Sequence, residues 1–87
     1  MNKIEFFTND RYLVLKTLYE HQIEINNAEI CPITQQEIAD GLGCSKAKVN
    51  MVLNELIDNG YAQIYNNTKG RYVLTDEAKK IMKKLKS

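Results

Sequence analysis

Apolar residues fall at helical spacing in four stretches of the chain and in strand-like alternation between the last two of them. Tyr12, Val14, Leu15, Leu18 and Tyr19 predict a first helix, opened by the cap residues Thr8, Asn9 and Asp10 and fading over residues 21–25. Ile38, Ala39 and Leu42 form the stripe of a short second helix, with Thr34 as cap and Glu37 placed to close a capping box. Gly41 and Gly43 limit its length, and Ser45 restarts the chain as a new cap. Val49, Val52, Leu53, Leu56 and Ile57 then give one apolar face of a third helix, stopped at Gly60. Between the first two helices, Asn26-Asn27 is a turn. Residues 30–33 are extended, because Pro32 disfavours helix at Cys31, and form at most a short edge strand. Residues 61–65 and 71–74 are β-like, and the polar loop at 66–70 joins them as a hairpin. Thr75 caps a last helix over residues 76–86, with Asp76 and Glu77 in its first turn and lysines in its last. Ile4, Phe6 and Phe7 make an apolar arm ahead of the first helix.

At 87 residues and 44% apolar composition, one small domain spanning 1–87 with a single core is expected, and an enzyme cavity of ordinary size is not. No stretch is long and apolar enough for a membrane span, and MNKIEFF lacks the apolar region of a signal peptide, so a cytoplasmic protein is expected. Cys31 and Cys44 are too far apart for CxxC redox chemistry, and with His21 as the one histidine no metal site or cofactor is expected. Cys44 reads as a small apolar turn residue, with a thiol switch as the alternative. No nucleophile–base set, phosphate-binding loop or facing carboxylate pair is present, so no enzyme is expected.

The net charge of +1 hides a division. Up to Ser45 the chain is −4 (three basic, seven acidic residues), and from Lys46 on it is +5 (nine basic, four acidic). A basic face of this kind is the footprint of nucleic-acid binding, or else a solubility feature of a lysine-rich helix.

The stretch TQQEIADGLGCSKAKVNMVLNELIDNG, residues 34–60, resembles the helix-turn-helix of DNA-binding regulators. Gln35, Ala39 and Gly43 recur at four-residue steps, followed by Cys44 and by the branched aliphatics Val49 and Val52. Helix, short strand, helix, helix, hairpin, helix is the winged helix-turn-helix order. The expected fold is therefore α+β and mainly helical: a three-helix core, a short β-strand plus β-hairpin wing, and a C-terminal helix. The phrases ELIDNGYAQI and RYVLTDEAKK resemble MarR-like and ArsR-like regulators.

This resemblance implies a sequence-specific regulator that binds double-stranded DNA and has helix 45–59 in the major groove. With the valines and leucines inward, Ala47, Asn50, Met51 and Asn54 face outward, Lys48 flanks them and Lys46 lies in the first turn. Asn50 and Asn54 suit adenine, a lysine suits guanine, and Met51 or Ala47 suits a thymine methyl; ordinary exposed polarity is the alternative for the asparagines. Relatives often carry arginine near Met51; its absence implies modest affinity or specificity carried elsewhere. Thr34, Gln35, Gln36 and Ser45 stand where helix N-termini meet phosphate, although capping alone accounts for Thr34 and Ser45. In the wing (61–75), Lys69 and Arg71 are expected over the backbone or in the minor groove, or on a protein partner. A homodimer is expected through the N-terminal and/or C-terminal helix, with Tyr12, Leu13 and Tyr19 as a dimer contact or as core. The alternative functions are a protein–protein interaction module in a transcription, replication or segregation assembly, and RNA binding through the same face.

Overall fold

Helix α1, Asp10–Glu20, turns Val14, Leu15 and Leu18 inward at the i, i+1, i+4 spacing that puts them on one side. The computed structural model describes residues 10–67 and 70–86, so the apolar arm and the caps Thr8 and Asn9 lie outside the described residues. The helix stops at Glu20, with His21 N–H shared between the carbonyls of Thr17 and Leu18.

The segment after α1 departs from the expected fading helix and single short strand. Strands β1, Ile23–Ile25, and β2, Ala28–Ile30, pair antiparallel with Ile23 opposite Ile30 and Ile25 opposite Ala28. Asn26 and Asn27 both have positive φ (51° and 66°), the pair of left-handed residues that a type I′ hairpin turn demands. The chain then joins the second hairpin at one point. Cys31 and Tyr72 exchange backbone hydrogen bonds of 2.7 and 3.1 Å, and Pro32, lacking an N–H, ends the pairing.

Helix α2, Gln35–Leu42, carries the full capping box: Thr34 Oγ1 accepts from Glu37 N–H and Glu37 Oε1 accepts from Thr34 N–H. It ends at Gly43, φ 70°, where Cys44 N–H reaches back to the Ala39 carbonyl, so the turn into the next helix needs a residue without a Cβ penalty. Ser45 caps α3, Lys46–Asp58, through a bond from Lys48 N–H. Helix α3 closes in the same way, with Tyr61 N–H on the Leu56 carbonyl. Strands β3, Ala62–Ile64, and β4, Tyr72–Leu74, form the wing, with a single 3-10 turn at Tyr65–Asn67. Thr75 Oγ1 accepts from Ala78 N–H at the start of α4, Asp76–Lys86.

The core lies where α1, α2 and α3 meet. Leu15, Leu18, Ile38, Ala39, Val49, Leu53 and Leu56 fill it, and Leu74, Ala78 and Met82 close it from the wing and α4. Each fully buried aliphatic contributes roughly 1.5–3 kcal/mol, and among the described residues no polar side chain shares the core. Burial pushes the Cys31 thiol up to about 12, so its thiolate is scarce. A thiol-alkylating reagent is therefore expected to label half-buried Cys44 in the native protein and Cys31 only on unfolding, which mass spectrometry of the labelled peptides checks. Among the described residues no helix is long and apolar enough to cross a membrane, and no cluster of three or more His, Cys, Asp or Glu could hold a metal ion.

Candidate nucleic-acid interface

Because α3 buries Val49, Val52, Leu53 and Leu56, its other side must face solvent. Lys46, Ala47, Lys48, Asn50, Met51 and Asn54 are all exposed there, Met51 to 55%. The expected helical phase is therefore the observed one. The exposed surface has two borders. On one, Lys46, Asn50 and Asn54 line a groove of about 440 Å³, together with Thr34, Gln35 and Gln36 from the start of α2 and Ile64, Gly70 and Tyr72 from the wing. On the other, Lys48 and Glu55 face α1.

The groove gathers six of the twelve residues singled out from sequence; Ser45, Ala47, Lys48, Met51 and Arg71 are exposed outside its lining. Thr34 and Ser45 spend a hydroxyl lone pair on their caps and keep a hydroxyl proton to donate. The Thr34 backbone N–H holds the Glu37 carboxyl below its ordinary range, so that carboxylate stays ionised and fixed on the cap. Gln36 Nε2 donates to Asp40 Oδ1 one turn on, at 2.9 Å. Gln35 Nε2 reaches across to α3 and donates to Asn50 Oδ1 at 3.0 Å. The wing is held against α2 at Gly70, φ 84°, where a Cβ would stand 3.2 Å from Thr34 Cγ2. Tyr65 N–H donates to the Arg71 carbonyl at 2.9 Å, which fixes the backbone that carries the exposed Arg71 side chain. Lys69 lies outside the described residues.

The α1 border carries a correction. Lys48 is exposed as expected, but its Nζ lies 2.7 Å from Asp10 Oδ2, and that hydrogen bond raises the lysine pKa. The pair is neutral, so Lys48 brings less charge to the face than its position implied. Arg11 Nε donates to Glu55 Oε2 at 2.7 Å and cancels the acid late on α3. Of the lysines on the C-terminal helix, Lys79 pairs with Glu29 on β2 at 3.0 Å. Tyr12 and Tyr19 pack against the core, and Leu13 is 41% exposed. The contacts of Lys48, Gln35 and Glu55 all link residues remote in sequence, so no local motif announces them.

The profile of the Crp-like helix-turn-helix domain matches residues 11–79. No curated protein sequence matches the chain. Among solved structures, a CRP/FNR-family transcriptional regulator from Thermus thermophilus superposes with TM-score 0.70 at 22% identity, over 97% of this chain and 45% of its own. A second CRP-family regulator from the same organism gives 0.60 at 19% identity, over 98% and 45%. The CO-dependent transcription factor CooA from Carboxydothermus hydrogenoformans, in its imidazole-bound form, gives 0.62 at 16%, over 93% and 38%. The chain thus spans less than half the length of each of these, and the likeness is one of fold. The matched family is Crp-like, where the sequence phrases resembled MarR-like and ArsR-like regulators. With the profile covering α1 through the start of α4, the chain belongs to the Crp-like helix-turn-helix domain family.

Proposed function

We propose that this domain binds duplex DNA as part of a transcriptional regulator, with α3 in the major groove and the β3–β4 wing over the adjoining backbone or minor groove. The observation that carries the reading is the groove face itself. Lys46, Asn50 and Asn54 share one border of α3 and the N-terminus of α2 stands beside them, while Arg71 is exposed on the wing between the groove residues Gly70 and Tyr72. Base-reading amides, phosphate-facing N–H groups and a cation are thereby brought to one surface, while Glu55 is held away by Arg11. The transcriptional regulators that share the fold support the same reading.

The roles follow position. Asn50 and Asn54 meet base edges; Ala47 and Met51 meet thymine methyls; Lys46, Gln36, Thr34, Ser45 and Arg71 meet phosphates. We further propose a homodimer, because one such domain offers few contacts and a two-fold pair spans two half-sites about one helical turn apart. Leu13 on α1 and Leu85 on α4, both exposed, are the apolar residues available on the two helices expected to pair.

Selection of bound sequences from a random duplex pool tests this. A palindromic consensus is the expected outcome, and failure to retain any duplex at low salt would favour the protein-contact module. The Asp10–Lys48 pair gives a further prediction. Asp10→Asn returns a positive charge to the α1 border, so affinity is expected to rise several-fold and the salt slope to steepen by up to ~0.9. Anisotropy titrations at a series of salt concentrations read both, and an unchanged slope would place Lys48 away from the duplex.

A further inference from the structure

We infer that Gln35 and Asn50 act as one base-reading unit, and that the base it selects is adenine. The inference rests on the DNA-binding reading above and adds a specificity role for Gln35, expected from sequence only as a phosphate contact. Gln35 opens α2 and Asn50 lies one turn into α3, 15 positions away, yet their side-chain amides are joined by the 3.0 Å bond from Gln35 Nε2 to Asn50 Oδ1. Both line the groove, beside Lys46 and Asn54.

The donor and acceptor inventory of this pair decides what it can read. A primary amide carries one carbonyl and one NH₂. Joining two amides by one N–H···O bond leaves the NH₂ of Asn50, the carbonyl of Gln35 and the second N–H of Gln35 unused. Turning both amides over exchanges the two residues' roles and leaves the same inventory. The bonded carbonyl also keeps a second lone pair. In every arrangement the pair therefore presents a donor next to an acceptor.

In the major groove, adenine presents the N7 acceptor beside the N6 amino donor. Guanine presents two acceptors, N7 and O6; thymine presents O4 and a methyl; cytosine presents the N4 amino group. Adenine alone satisfies both halves of the amide pair, and guanine sets O6 against a carbonyl. The bond between the side chains also orders Asn50 before DNA arrives, which reduces the rotamer entropy lost on binding. Gln35 is thus a positioning residue that fixes the Asn50 amide and completes its reading edge.

The test uses the duplex obtained by pool selection and the whole chain. Affinities are measured for the parent, Gln35→Ala, Asn50→Ala and the double variant, on the selected site and on its single-base variants, at two salt concentrations. Both side chains are at the surface, and unchanged thermal unfolding of the variants confirms that folding is not the variable. One position per half-site is expected to be adenine, and its replacement by guanine or 7-deazaadenine to weaken parent binding roughly ten- to a hundredfold. Each single variant is expected to lose this discrimination, the double variant to lose no more, and the salt slope to stay the same. Gln35→Glu leaves the pair with acceptors facing outward, and the preference is expected to move towards cytosine.

Two results would overturn the pair while leaving DNA binding intact. One is Gln35→Ala weakening all four bases equally with a salt slope lower by about one, the mark of a phosphate contact. The other is an Asn50-dependent position that prefers guanine or no base. If no duplex is retained at all, the DNA-binding reading itself falls, and the pair with it.

Discussion

Leu53→Ala is expected to lower the free energy of unfolding by about 2–5 kcal/mol. Leu53 is 1% exposed and sits in the core on the buried face of α3. Its removal loses the transfer energy of the deleted atoms and leaves a void under α3 that the three-helix packing closes only in part. For a domain of this size, each kcal/mol corresponds to roughly 4–8 °C in Tm, so a fall of at least ~8 °C is the expected reading in a circular-dichroism melt. The control is Met51→Ala, two positions away on the same helix. Met51 is 55% exposed, and alanine is the better helix former, so its Tm is expected to change little. A Leu53→Ala melt within a degree or two of the parent would mean that α3 is rotated about its axis. Every assignment of outward-facing residues would then go with it.

That dependence explains how much of the fold was legible. The capping box at Thr34 and Glu37, the left-handed turn at Gly43 and the cap at Ser45 are local, and each is specified by residue type at a fixed offset. Together they fix where α2 ends and α3 begins, and hence which residues of α3 face out. The hairpin β1–β2 was not read as one because three-residue strands are too short to show alternation. Its Ile-Glu-Ile arm falls where the first helix is expected to fade, and its Ala-Glu-Ile arm lies between the Asn26-Asn27 turn and the extended stretch before Pro32. The flanked Asn26-Asn27 pair was the available signal, since adjacent left-handed asparagines are the two-residue hairpin signature. The outward placement of the candidate residues on α3 was legible, and their wiring was not. Residue types at exposed helix positions are set by local pattern, whereas the bonds Gln35–Asn50, Lys48–Asp10 and Arg11–Glu55 depend on how separate helices pack. Those bonds decide which amides are ordered and which charges are cancelled. Lys46, for which no cancelling ion pair is seen among the described residues, is therefore a stronger test of the charge on this face than Lys48.

Lys46→Glu is expected to weaken duplex binding on the order of 60-fold at ~0.1 M salt, with Lys46→Ala near ~8-fold. The figures follow from counterion release: each neutralised phosphate contributes about 0.9 to the slope of log affinity against log salt. Affinities that converge near ~1 M salt then separate by that exponent for every tenfold dilution, once for a lost charge and about twice for a reversed one. Lys46 is the first residue of α3 and lines the groove between that helix and the wing, so its ammonium lies where the phosphate backbone would enter. The substitution separates binding from stability, because an acidic residue in the first turn of a helix opposes the macrodipole favourably, by about 0.3–1 kcal/mol. Lys46→Glu is thus expected to melt at or slightly above the parent temperature while its binding falls and its salt slope flattens by nearly two. Parent-like affinity in a variant that folds as well as the parent would move the duplex off this border of α3. The groove would then have to serve some partner other than a polyanion.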